Sequence, residues 1–286
     1  MLLRRPVQKL GKVQIYTPDG RPADPVATQT AVQLLEHHQA PQDAELIAAR
    51  KSRVYRKPAA GGERLYVKHY CSRRSKERIK RLIRSPYRNV ALWRRLSSLG
   101  IPSPRPLLVA WKRREAVLVT EEMATPSLRQ SIWSGDPVTP ELMEVLGRTW
   151  GCLHSHRLIH YDPSPGNIVL PEADGPRAGL IDLDSLYLVP AVPALLARHR
   201  LQRFFYKLTT ECLRSQEVAP TGEAFDAFWR GYAEVTGVAP EAHARSVIKR
   251  MEARIGPRRK QRQGEIFLAA AQSWRSALDS AECADR

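Results

Sequence analysis

The sequence predicts an α+β protein in which a small antiparallel β lobe with one main helix precedes a larger, mostly helical lobe. Three observations carry this. Short apolar and β-branched runs, punctuated by turns, occupy residues 45–70 and 107–123. A single helical stretch separates them, and beyond residue 127 apolar side chains recur chiefly at helical spacing. The chain has 286 residues, 43% of them hydrophobic, enough to bury a core as one large domain or two small lobes.

Residues 1–44 are rich in Pro and Gln, with the turn-dense TPDGRPADP at 17–25, and read as a loosely organised extension holding at most a short helix near Thr30–His37. In 45–70, ELIAARKSRVYRK and ERLYVKHY flank PAAGG, which predicts two or three antiparallel strands with a Gly-Gly turn. Leu92, Trp93, Leu96 and Leu99 then follow a helical period. Ser85 suits the N-cap, Pro86 the first helical position, and Gly100 with Pro102 the stop. LLVAWKRREAVLVTEEM (107–123) predicts two strands across a basic turn. Helices are expected at Ser127–Trp133, Pro140–His156, Leu195–Arg214, Ala224–Thr236 and from Pro240 onward, interrupted by strand-like segments within 167–189. The resulting division is 1–44 as extension, 45–122 as first lobe and 123–286 as second.

Charge narrows the function. With 46 Lys and Arg against 29 Asp and Glu, the net charge is +17, which calls for a nucleic acid, an anionic membrane surface, an acidic protein or a phosphorylated small molecule as partner. Ser185–Ala197, 13 residues, is the longest stretch without a charged side chain, and it contains Pro190 and Pro193. A spanning helix needs about 20 apolar residues. MLLRRPVQKLGK lacks the apolar core of a secretory signal, so a cytoplasmic location is expected. Cys71, Cys152, Cys212 and Cys283 are scattered and read as reduced thiols.

The sharpest motif is HYDPSPGNIVL (160–170) followed by LIDLDSL (180–186). Asp162 and Asn167 stand five apart in a loop broken by Pro and Gly, and Asp182 follows fifteen residues later at the end of an apolar strand. Phosphoryl transfer needs such a trio: one carboxylate to orient the attacking hydroxyl and take its proton, and an amide oxygen with a second carboxylate to hold Mg2+ against the phosphates. Lys68, inside the apolar strand LYVKHY, follows a strand-turn-strand pattern, where a phosphate-pairing lysine would sit.

The H-x-D-x-x-x-x-N pattern with its following Asp resembles the catalytic loop and metal-binding Asp of protein-kinase-like phosphotransferases, which implies a two-lobed protein-kinase-like fold. GIPSPRPLLV (100–109), the compact VYR…YVKHY lobe, LHSHRLIHYDPSPGNIVL and the IDLDS ending are together similar to the bacterial lipopolysaccharide kinase family, which phosphorylates heptose or Kdo sugars of the inner core. The similarity spans roughly residues 45–215. It implies ATP and Mg2+ as cofactors, Asp162 as catalytic base, Asn167 and Asp182 as metal ligands, and Lys68 as an ATP contact. ARKSRVYR (49–56) takes the place of a Gly-rich loop without any glycine, leaving Ser52 and backbone N–H groups to cover phosphates. Glu121, Glu122 and Met123 stand where such a kinase places its adenine-binding hinge, with the ATP cleft expected near 121–124. The implied partners are an anionic core glycolipid, the anionic inner-membrane surface and an acidic carrier protein. Nucleic acid is the weaker choice, because no RNP-type strand or zinc module accompanies the basic residues.

One departure stands out. Family members carry Arg-Glu where this chain has Arg88-Asn89, and the only carboxylate between Lys68 and Gly100 is Glu77. Either Glu77 reaches back, or Lys68 is held differently, or activity is weak or lost. His160 reads as a brace for the loop, and Asp184 as its second-layer partner or a solvent-exposed strand end. The basic runs 73–84, 198–203 and 258–262 read singly as solvated helix faces. Two rival functions stay open: a phosphotransferase for a soluble small molecule or protein, and a non-catalytic basic binding protein on the same scaffold.

Overall fold

A computed structural model describes residues 6–49, 52–59, 62–71, 86–113, 115–170, 177–255 and 262–284. The chain divides into two compact units, residues 1–98 with 103–124, and residues 99–102 with 125–286.

The first unit is built on a seven-stranded antiparallel sheet. Its strands are β1 (Gln8–Leu10), β2 (Val13–Tyr16), β3 (Glu45–Ala49), β4 (Arg53–Pro58), β5 (Arg64–Tyr70), β6 (Pro106–Lys112) and β7 (Glu115–Glu121), in the order β1-β2-β6-β7-β5-β4-β3. Residues 8–37, expected to be loosely organised, instead supply the edge hairpin β1-β2 and helix α1 (Pro25–Val32), which a π-turn extends to His37. The cause is legible in TPDGRPADP. Asp24 caps the helix by accepting from Ala27 N–H at 2.8 Å, and Pro25 takes the first helical position, so the turn-dense stretch is a helix start.

Alternation along the strands gives the sheet two apolar faces. Leu65, Val67, Leu108, Ala110, Val117 and Val119 pack with Ala27, Ala31, Leu34 and Leu35 from α1 and its extension. On the opposite face Tyr70, Val109, Ala116 and Leu118 meet Tyr87, Val90 and Trp111. Tyr87 and Val90 belong to helix α2 (Pro86–Ser98), which Gly100 follows at φ +64°. Ser85, the expected cap, and the expected Glu77 lie outside the described residues, as do the basic run 73–84 and residues 258–261.

The second unit is helical: α3 (Leu128–Trp133), α4 (Pro140–Ser155), α5 (Ala194–Ser215), α6 (Gly222–Thr236), α7 (Pro240–Ile255) and α8 (Arg262–Ala284). Ser127 closes a capping box with Gln130, and Thr139 and Thr221 cap α4 and α6. The core is aromatic. Trp150, Phe204, Phe205, Phe225, Phe228, Trp229 and Trp274 are all buried, and Trp274 donates its indole N–H to Pro220 O at 2.9 Å. Four short strands interrupt the helices: β8 (Leu158–His160), β9 (Ile168–Val169), β10 (Gly179–Leu180) and β11 (Leu186–Leu188). β9 pairs with β10 and β11 with β8, both antiparallel. The β8 strand was not expected; its three residues are too few to show a period.

α4 and α6 cross where each contributes a glycine. A Cβ on Gly147 would collide with Phe228 O, and one on Gly231 with Glu144 O, both backbone atoms that cannot yield cheaply. Gly147→Ala and Gly231→Ala are each expected to lower stability by about 2 kcal/mol or more, read as a drop in urea midpoint.

At the same interface, burial pushes the His154 imidazole down to about 4, while its Nδ1 lies 2.9 Å from Tyr232 Oη. Because the folded value lies below the unfolded one, the unfolded chain binds the proton first. The stabilisation is therefore complete above about pH 6.5 and is lost as pH falls toward 4. His154→Phe should make the decline in urea midpoint between pH 7 and pH 4.5 shallower than in the wild type.

Candidate active site

The loop between β8 and β9 carries Asp162 and Asn167, and the β10–β11 connection carries Asp182. Backbone bonds hold the two connections together. Tyr161 N–H donates to Ser185 O at 2.7 Å and Ile181 N–H to Asn167 O at 3.0 Å. Leu180 N–H donates to Pro102 O at 2.8 Å, so GIPSP acts as a strap on β10, and Arg177 secures the same segment through Leu99 O at 2.6 Å. Within the loop Ser164 N–H reaches Asp162 O at 2.7 Å and Asn167 N–H reaches Ser164 O at 2.8 Å. The three predicted residues of this unit are thus brought together.

Asp182 has φ 57° and ψ 56°, a left-handed conformation that costs a non-glycine residue energy and persists only where its surroundings impose it. Here Ser185 N–H bonds Asp182 O at 3.1 Å, and the Ser185 hydroxyl lies 3.4 Å from Asp182 Oδ2. The Asn167 amide NH2 donates to Asp162 O at 3.0 Å. That bond engages the amide nitrogen and leaves the amide oxygen of Asn167 as the atom that could face a cation. An amide oxygen and a carboxylate are the hard donors that Mg2+ takes from a protein, with waters and substrate phosphates completing its shell. Among the described residues no group of three His, Cys, Asp or Glu side chains could hold a metal. Asn167 and Asp182 supply two such oxygen donors, a set that fits a cation whose other positions are filled by water and phosphate.

His160 is 1% exposed, and burial pushes its pKa down to about 4 although the Asp182 and Asp162 charges oppose the shift. The neutral ring accepts the Asp162 N–H at Nδ1, 3.3 Å away, and Trp150 packs edge-on against it. The other two histidines of the LHSHRLIH stretch have separate partners, Tyr232 for His154 and Cys152 O for His156.

The sequence reading missed the side chains around Asp162 that come from α5. Lys207 forms an ion pair with Asp162 Oδ1, and Arg203 reaches the same oxygen at 3.4 Å. Arg200 lies 4.0 Å over the Tyr161 ring. One position further along the face, Glu211 pairs with Arg129 at 3.0 Å, and Arg129 in turn donates to Ser164 Oγ at 3.1 Å. Positions 200, 203, 207 and 211 form one stripe of the helix, whose other face buries Leu201, Phe204, Phe205 and Leu208. The run 198–203, read as a solvated face, is in part this stripe. The available signal was its spacing, which gains meaning only once the fold sets α5 beside the loop. Burial works to raise the Asp162 pKa, but the hydrogen bond and charge of Lys207, then Arg203, hold it below the ordinary carboxylate range. Asp162 is therefore ionised at neutral pH.

The remaining predicted residues lie in the first unit. Lys68 is central in β5, opposite Val54 on one side and Leu118 on the other, with its ammonium 5.7 Å from the Tyr70 ring centroid. Asn89, where a glutamate was expected, is buried and donates to Tyr70 Oη at 3.4 Å. Ser52 directly precedes Arg53, which pairs with His69, so Ser52 and Lys68 share one end of the β4-β5 ladder. Glu121 pairs with Leu65, three positions along β5, about 10 Å away. Its N–H goes to Arg105 O and that of Glu122 to Arg64 O, so Met123 is the first residue past these commitments.

A sheet of this order followed by helices, with an Asp, an Asn and a second Asp gathered on short ladders, defines a protein-kinase-like phosphotransferase. The amicoumacin kinase hAmiN, solved with AMP-PNP, Ca2+ and Ami, has this fold, with a TM-score of 0.53 at 14% identity over 90% of this chain and 94% of that one. An aminoglycoside-3'-phosphotransferase of type VIII aligns at TM-score 0.49 and 18% identity over 77% of this chain and 98% of that one. WbdD, crystallised with a kinase inhibitor, aligns at 0.47 and 17% over 81% of this chain, which spans only 50% of WbdD. No curated protein matches the sequence. The lipopolysaccharide kinase (Kdo/WaaP) family model matches residues 44–189, and the chain belongs to that family.

Lys207→Met is expected to lower kcat by roughly tenfold or more while nucleotide affinity stays within about twofold, because it removes only a partner of Asp162. Lys207→Arg should recover part of the loss, with steady-state kinetics beside nucleotide titration as the check.

Proposed function

We propose that this kinase transfers the γ-phosphoryl group of ATP to a heptose or Kdo hydroxyl of the lipopolysaccharide inner core. The observation that carries the reading is that, in a chain of this family, Asn167 donates to Asp162 O and the residue before Asp182, Ile181, donates to Asn167 O, so the three residues are held on bonded neighbouring segments. In this reading Asp162 orients the acceptor hydroxyl and receives its proton. A carboxylate held ionised by Lys207 is a weak base, yet a loose phosphoryl-transfer transition state needs little proton removal before the phosphoryl group moves.

Asn167 and Asp182 would hold Mg2+. When bound, the metal neutralises phosphate charge and aligns the transferring group. On the first unit, Lys68 would pair with ATP phosphates and Ser52 would cover them. The backbone near Glu121 and Met123 would take the adenine, with Met123 carrying the donor because the Glu121 and Glu122 N–H groups are engaged. The acceptor is a glycolipid, which places the enzyme at the cytoplasmic face of the inner membrane, drawn there by its net charge of +17.

Asp162→Asn is expected to abolish transfer with Mg-nucleotide affinity preserved, whereas Asp182→Asn should weaken Mg-nucleotide binding as well. In cells lacking the protein, mass spectrometry of core oligosaccharide should show one phosphate missing, restored by the wild-type gene and not by Asp162→Asn. An unchanged core would remove the inner-core acceptor from consideration.

A further inference from the structure

The segment between β11 and the second turn of α5 has no role in the site just described. Residues 188–195 read LVPAVPAL, within the 13-residue stretch that carries no charged side chain. Leu188 is 65% exposed and Leu195 63%, and Pro190, Ala191, Pro193 and Ala194 between them are exposed too. A lone exposed leucine is ordinary on a protein surface, but a continuous apolar run ending in two such leucines is not.

Part of the run's backbone makes no demand for hydrogen bonds. Pro190 and Pro193 have no N–H to satisfy. Val189 N–H donates to Arg157 O at 2.9 Å, and Leu196 and Ala197 N–H both donate to Pro193 O, at 2.9 and 3.0 Å. Pro190, Val189 and Pro193 thus expose no free N–H, which lowers the cost of dehydrating that part of the irregular backbone. Cationic side chains rim it. Arg157, exposed in the turn before β8, adjoins Val189 through that backbone bond, and Arg198 follows near the start of α5. An apolar centre with a cationic rim is complementary to a surface that is hydrocarbon within and phosphate at its boundary.

The geometry points to residues 188–195, rimmed by Arg157 and Arg198, as a docking surface for an anionic lipid bilayer. Its position adds a functional corollary, which rests on the inner-core acceptor proposed above. Leu188 pairs with Leu158 and Leu186 with His160, so the apolar loop lies about 7 Å along one short ladder from the residue that braces Asp162. Docking there would hold the phosphoryl-accepting site just above the headgroups, at the height of a sugar attached to a lipid. Neither the 73–84 run nor a membrane-spanning helix is needed: among the described residues no helix is long and apolar enough to cross a bilayer.

The test uses the full chain with vesicles of phosphatidylcholine, pure or with about 30% phosphatidylglycerol, without ATP or acceptor. The wild type should sediment with the anionic vesicles. Leu188→Ser combined with Leu195→Ser should weaken this roughly tenfold while nucleotide affinity is unchanged, and Arg157→Glu should weaken it on the anionic vesicles alone. Leu188→Trp should be quenched by brominated acyl chains, a readout that does not depend on the double variant folding. The proposal is overturned if the protein fails to sediment, or if it sediments with Leu188→Trp unquenched, since another surface would then make the contact. It is equally overturned if sedimentation equilibrium shows the leucines to be covered by a second copy that the double variant releases. Because no phosphoryl transfer is measured, these outcomes are separate from the fate of Asp162→Asn in the core analysis.

Discussion

The loop that carries Asp162 and Asn167 is neither a helix nor a long strand, and so lacks the repeating bonds that make those elements rigid. Here rigidity depends on the buried, neutral His160. Its Nδ1 accepts the Asp162 N–H at 3.3 Å, and its own strand β8 is anchored to β11. Burial pushes the ring's pKa down to about 4, so the acceptor is present at neutral pH. The β9-β10 pair and the Ile181 to Asn167 bond then carry Asp182 to the loop, and its left-handed backbone is tolerated because those bonds surround it.

Charge around the site is arranged by one helix. α5 buries phenylalanines on one side and turns Arg200, Arg203 and Lys207 toward residues 161 and 162 on another, so the packing that builds the core also sets the electrostatics of Asp162. A change in how α5 sits on Trp229 or Trp274 would move these cations along with the aromatic contacts. The affinity of Asp162 for a proton and the stability of the second unit are therefore not independent properties.

Much of the fold could be read before the structure was known, for identifiable reasons. The sheet strands at 53–58 and 64–70 alternate, those at 106–112 and 115–121 are short apolar runs bounded by turns, α4 and α6 have caps, and α4 to α6 have long apolar faces, so local signals agree with the final packing. The grouping of Asp162, Asn167 and Asp182 was legible because two of them share one short loop and the third ends the next apolar strand. What escaped was fixed by tertiary contact. Lys207 lies 45 residues from Asp162, and β8 is three residues held by a partner beyond the loop. The N-terminal strands are too short to display a period, and their turn residues were misread because a Pro after an Asp marks either a loop or a helix start.

Those strands bear on where the domain begins. The family match starts at residue 44, yet β2 is hydrogen-bonded along β6 through Gln14, Ile15 and Tyr16. Removing residues 1–43 would strip β6 of that partner and leave Val109, Ala110 and Trp111 along an open edge, while uncovering the face that α1 protects. An unpaired apolar edge recruits strands from other molecules. A shortened chain cut at the family boundary should therefore be handled as an aggregation-prone species, and the limits of the conserved domain are narrower than the limits of the foldable one.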